Sequence, residues 1–194
     1  MKFQYELEAL GRYVEVLDNS LRRFAAQEKM AFKRKDYLEG MPDGWSGEAQ
    51  MVAEEELSKV EEVMPRFAFG STLALCFMLL EQLLQDLVKT TEMRKGGQTF
   101  KRFPHKRGEP AIKIAHRFLA ESWNVSLELD EETAQELDRL RVMRNQFIHA
   151  VSMEVYPGTI SEPVVSVTRE DVDAALMTIG AYAFVLECGL QDSR

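Results

Sequence analysis

The chain has 194 residues, a net charge of −8 and two cysteines. That length suits one globular domain with a good core, or one domain with an appended arm, and the ordinary balance of apolar and charged residues excludes global disorder. An acidic chain is not a polyanion binder as a whole, so any contact with nucleic acid has to be local.

Cys76 and Cys188 both fall inside apolar helical patterns and lack ligand-spaced partners. They read as small core residues of a reducing cytoplasm, with no disulfide framework and no zinc site. Met1 to Glu6 lack the charged-then-apolar layout of a signal peptide. No apolar run reads as long and charge-free enough to span a bilayer. The nearest, Phe67 to Leu80, fits a buried core helix, so no membrane is expected.

Residues 3–38 read as one long helix. Leu7, Leu10, Val14, Leu17, Leu21 and Phe24 alternate spacings of three and four, which is a narrow apolar seam flanked by charge. The seam ends at Glu28. It can lie on its own domain or dock a partner, and both readings stay open. Gly40 to Gly47 is rich in turn residues, so residues 1–47 form an N-terminal arm and 48–194 the main domain. Helical pattern resumes near Glu48, and Pro65 predicts a kink or a restart. From Phe67 to about Met93 the sequence is apolar on most sides, which marks a central helix. Glu81 interrupts it and, if partly buried, needs a partner.

Arg94 to Gly108 carries glycine, proline and no helical period, so it reads as a loop. Its cations include Lys101, Arg102, Lys106 and Arg107, with Phe100 and Phe103 between them. Cations interleaved with aromatic faces can hold phosphate and stack on unpaired bases. The competing reading is a solvated loop that balances nearby acids. Pro110 is expected in the first turn of the next helix, which carries His116 among apolar residues as a packed or surface side chain. Asp130 reads as the N-cap of a helix running to about Val151. Residues 152–167, with a turn at Tyr156-Pro157-Gly158 and β-branched Val164, Val165 and Val167, suggest a short hairpin. Thr168 to Asp171 resembles a capping box opening the last helix. The fold class is therefore all-α, a helical bundle with a small β element at most.

Chemistry concentrates in Arg144-Asn145-Gln146-Phe147-Ile148-His149. Four-residue spacing puts Arg141, Asn145 and His149 on one polar stripe, and Arg144 inside an otherwise apolar one with Leu137, Leu140, Ile148 and Val151. Arg144 and His149 lie about 140° apart around a regular helix axis. They converge only if the helix end distorts, the arginine wraps round, or a second copy across a two-fold axis completes the site. An imidazole can act as base or acid when a 2′-hydroxyl attacks its neighbouring phosphate, and a guanidinium can hold the developing charge. Asn145 can orient the imidazole, and no metal or other cofactor is required. The structural alternative pairs Arg144 with a core carboxylate such as Glu81 and leaves His149 as a polar helix end.

The run Leu140 to Ala150, with Asn directly after the Arg and apolar residues before the His, resembles the HEPN superfamily of all-α domains. Upstream, the apolar helix around Leu79-Leu80-Glu81-Gln82-Leu83-Leu84, a polar loop and the Ile112–Trp123 helix extend the resemblance over roughly residues 67–151. It implies a homodimer that cleaves RNA without metal, commonly in toxin–antitoxin or phage-defence systems, with an antitoxin or other protein as a further partner. Carried over by position, Arg144, Asn145 and His149 are the motif residues, and Glu81 matches a polar residue beside the motif. Other members serve as nucleotide-binding or interaction modules without activity.

Overall fold

The computed structural model describes residues 2–33, 46–95, 99–154 and 166–191. Its centre is the apolar helix that the sequence marks out, α3 (Met64–Lys95). Around it lie α1 (Lys2–Lys33), α4 (Ala111–Trp123), α5 (Glu131–Glu154) and α6 (Arg169–Gln191), each in contact with α3. The all-α expectation holds: there is no strand among the described residues. The core is one cluster, in which Leu73, Cys76, Phe77 and Leu80 of α3 meet Val172, Ile179, Tyr182 and Leu186 of α6. Each such large side chain, fully buried, contributes about 1.5–3 kcal/mol.

The seam on α1 lies on the chain's own core for half its length. Phe3, Leu7 and Val14 are buried there, Leu10 and Leu21 are partly covered, and Phe24 is 41% exposed. Beyond it Lys29 pairs with Glu61.

Pro65 does not restart the chain. α2 (Ser46–Ser58) passes into a π-helical turn, Lys59–Val63, which runs directly into α3. A proline inside a helix lacks an N–H and crowds the carbonyl four residues back. The wider turn just before it, in which the Met64 N–H reaches the Lys59 carbonyl, accommodates both effects.

Helix ends follow their local chemistry. Asp130 Oδ1 accepts the Thr133 N–H at 2.8 Å, as an N-cap should. Thr168 and Asp171 exchange bonds at 3.0 and 3.3 Å, a capping box with aspartate in the acid position. Asn124 closes α4 in the left-handed conformation at φ 53°. Pro110 is the residue flanking α4 with extended ψ, one place earlier than the first-turn position expected. Of the expected hairpin, 152–154 belong to α5 and 155–165 lie outside the described residues.

The expectation about membrane spans needs correction. Two stretches, Glu54–Arg94 and Arg169–Leu190, are long and apolar enough to cross a membrane by length and composition. Such windows tolerate an isolated charge such as Glu81. In this fold the apolar character of α3 and α6 supplies the faces that meet in the core.

Candidate active site

The motif helix α5 is α-helical throughout and packs antiparallel on α3. Phe147 stands edge-on to Phe67 with centroids 6.2 Å apart, while Arg144, earlier on α5, reaches Phe77 and Glu81, later on α3. Gly70 makes this approach possible. A Cβ built there would lie 2.2 Å from the Phe147 ring. Sequence reasoning did not single out Gly70, and only its place on the most apolar helix hinted at a close contact.

Arg144 is the cation within the apolar stripe, and its side chain crosses to α3. Nη2 donates to Glu81 Oε1 at 2.7 Å, and Nη1 donates to Asn145 Oδ1 at 3.0 Å. The guanidinium carbon stands 5.7 Å from the Phe77 ring centroid. Nε is buried without a hydrogen-bond partner. Arginine has no acceptor, so the amide oxygen of Asn145 must face it, and the Asn145 NH₂ faces away, with neither hydrogen engaged among the described residues. Glu81 thus has the partner its place in an apolar helix demanded; its side chain is 46% exposed and that of Arg144 20%.

His149 is exposed and makes no hydrogen bond among the described residues. Because α5 is regular to Glu154, the helix end does not rotate His149 towards Arg144. Within one chain Arg144 is committed to α3 while His149 faces outward. Arg141, on the same stripe as His149, bonds Asp138 at 3.0 Å and lines a cavity of about 230 Å³ with His116 and Tyr182.

The basic loop divides. Phe100–Arg102 forms a 3-10 turn. Phe103 is buried, and both Phe100 and Phe103 stand edge-on to Phe118 at 5.4 Å. These aromatics anchor the loop to α4, so Phe103 offers no free face for stacking. Lys101 and Arg102 border a groove of about 890 Å³ between α3 and α4 that reaches Glu81. Lys106 and Arg107 are exposed beyond it, where the Lys106 N–H bonds Glu109. The structure therefore brings Arg144, Asn145 and Glu81 into contact, sets Glu81 on the groove that Lys101 and Arg102 also line, and leaves His149 and the Lys106–Arg107 pair apart.

His116 is a packed side chain. Its Nε2 lies 3.0 Å from the Leu127 carbonyl and Nδ1 3.1 Å from the Tyr182 hydroxyl. A carbonyl only accepts, so Nε2 carries the proton and Nδ1 accepts from the tyrosine. Burial lowers the imidazole pKa, opposed by the bond to Leu127. Cys76 is buried in the core, and burial pushes its thiol up to about 12.

No family model, curated protein or solved structure matches the chain.

Proposed function

We propose that the chain is a metal-independent endoribonuclease of the HEPN type that works as a homodimer, in a toxin–antitoxin or phage-defence setting. The observation that carries this reading is the bonded trio Glu81–Arg144–Asn145, fixed at the α3–α5 seam one to two turns from an exposed His149 that has no partner among the described residues. A guanidinium anchored by one carboxylate is pre-aimed, and it still has N–H groups left for a phosphate oxygen. In the proposed reaction, His149 takes the proton of the 2′-hydroxyl or returns one to the leaving 5′-oxygen. Arg144 holds the charge on the phosphorane, and the Asn145 amide donates to a phosphate oxygen or to the imidazole. A 2′,3′-cyclic phosphate and a free 5′-hydroxyl are the products.

A second copy would complete the site. Leu75 and Met78 of α3 and Ile148 of α5 are 39%, 54% and 40% exposed, and the antiparallel pairing sets Leu75 and Met78 near the level of Arg144 and Ile148 beside His149. Covering these apolar side chains across a two-fold axis would bring two motif helices together. Cleavage of a single-stranded RNA by the purified full chain tests the proposal. His149→Ala and Arg144→Ala should each abolish cleavage while the protein stays folded and dimeric. Full cleavage by the His149→Ala protein overturns it.

A second reading is non-enzymatic, either an interaction or nucleotide-binding module or a structural bundle with a fortuitous motif; the pairing of Arg144 with Glu81, and the absence of His149 from the described cavities, favour the bundle. Expression in cells separates the two. Growth arrest that requires His149 supports the nuclease; no arrest, with a stoichiometric protein partner in a pull-down, supports the module.

A further inference from the structure

The groove between α3 and α4 is larger and more specific than a charged loop needs. Its floor is apolar, formed by Leu84, Val88, Ile112 and Ala115, with Phe100 at one side. Its volume of about 890 Å³ falls within the usual range for ligand pockets. Its charges are unevenly used. Glu81 Oε1 accepts from Arg144, and Glu92 accepts the Phe100 N–H at 2.6 Å. Lys89, Lys101 and Arg102 have no partner among the described residues. With Glu81 paired to Arg144, three cations and the single carboxylate of Glu92 leave this groove with an excess of positive charge in a chain of net charge −8, which an anion would balance. The uncapped start of α4, where Ala111 and Ile112 line the same groove, adds partial positive charge.

We infer that this groove holds one unpaired nucleotide of an RNA strand, its base on the apolar floor and its phosphate against Lys101 and Arg102. The uncharged polar groups of the rim decide between a nucleotide and an acyl chain. The side chains of Gln85 and Thr99 have no partner among the described residues, and beside them the Glu81 carboxylate has only one oxygen engaged there. A base edge and ribose hydroxyls can satisfy these groups, whereas a hydrocarbon chain would desolvate them without return. Glu81 stands at one end of the groove and holds Arg144, so the nucleotide would flank the phosphate that Arg144 clamps. The inference deepens the nuclease reading and rests on it for the identity of the strand.

The test uses the full chain carrying His149→Ala, which binds without cutting, and a fluorescent single-stranded RNA of about twelve nucleotides. Lys101→Glu with Arg102→Glu should weaken binding about tenfold or more, because phosphate contacts are lost. Ala111→Trp, an exposed position that fills the groove without entering the core, should do the same. Lys106→Glu with Arg107→Glu, outside the groove, should change binding far less. A strand with abasic sites should bind more weakly than its parent. The inference is overturned if the abasic strand binds equally, if Ala111→Trp binds as tightly as its parent, or if the two charge-reversal pairs act alike. If the chain with His149 intact cleaves no RNA but this binding pattern holds, the nuclease reading fails and the groove assignment stands.

Discussion

Substituting Gly70 by alanine gives the most direct test of how the motif helix is seated. A Cβ there would lie 2.2, 2.4 and 2.4 Å from three ring atoms of Phe147, and ordinary contact begins near 3.4 Å. The gap must therefore open by about 1.2 Å, the difference between 2.2 and 3.4 Å. Phe147 is 5% exposed and edge-on to Phe67, so its ring has no free direction in which to swing. Overpacking of this kind costs about 1–3 kcal/mol or somewhat more, while alanine regains up to about 1 kcal/mol of helix propensity. A net loss of roughly 2 kcal/mol lowers the Tm of a chain this size by about 4–8 °C. Thermal and urea unfolding of Gly70→Ala measure it, with Gly70→Ala/Phe147→Leu as the compensated partner that should regain stability relative to Gly70→Ala. A Gly70→Ala protein as stable as the parent would refute the reasoning, because helix propensity would then outweigh the contact.

Three further outcomes are expected. His116 is held neutral by burial, so its folded pKa lies below the ordinary value. Its contribution is complete above the unfolded pKa of about 6.5 and is lost as pH falls below that value through the lower folded pKa, since in that window the unfolded chain binds the proton more readily. Between about pH 7.5 and pH 5.5 the Tm should therefore fall more steeply for the parent than for His116→Gln; parallel curves would contradict the assignment. Thr168→Ala removes one half of the α6 capping box and should cost about 1 kcal/mol by urea unfolding, an effect absent if α6 is held by its core face alone. Glu81→Ala should cost about 1 kcal/mol, a figure reduced by the half-exposure of that carboxylate. In a double-mutant cycle with Arg144→Ala, a coupling near zero would mean that the 2.7 Å bond adds nothing to stability.

Much of the fold was legible because single residues carry strong local signals. The apolar Phe67–Met93 run became α3, Asp130 and Thr168 capped where their side chains demand, and Glu81 found a cation. The misreadings share a physical origin in neighbours distant along the chain. Pro65 reads as a kink or a restart, and only the restart is excluded, by the continuous passage through the π turn Lys59–Val63 into α3. Phe103 reads as a free aromatic face because Phe118, which buries it, is fifteen positions on. The apolar content of α3 and α6 is high enough to resemble a membrane span, and both helices contribute side chains to one core. At the site, residue types and spacing gave the polar trio its members. The groove beside it depends on α4 folding back along α3, which no spacing encodes.

The Arg144–Glu81 pair is the point at which structural and catalytic readings make different demands on the same atoms. A guanidinium carries five N–H groups. One is spent on Glu81, one on Asn145, and the Nε hydrogen is buried without a partner. That leaves one hydrogen on each terminal nitrogen for a phosphate, so the pair does not exhaust the clamp. It does offset the charge, because a carboxylate at 2.7 Å cancels much of the field that Arg144 would present to a phosphorane. A single chain therefore supplies an aimed but partly neutralised cation, and an imidazole about 140° away around the helix. Lys89, Lys101 and Arg102 restore positive charge on the Glu81 side of that pair, and a second copy would supply the missing imidazole on the other. For the nuclease reading, then, dimer and groove are both required parts of the site, since either alone leaves Arg144 without a proton carrier or without a net positive surrounding.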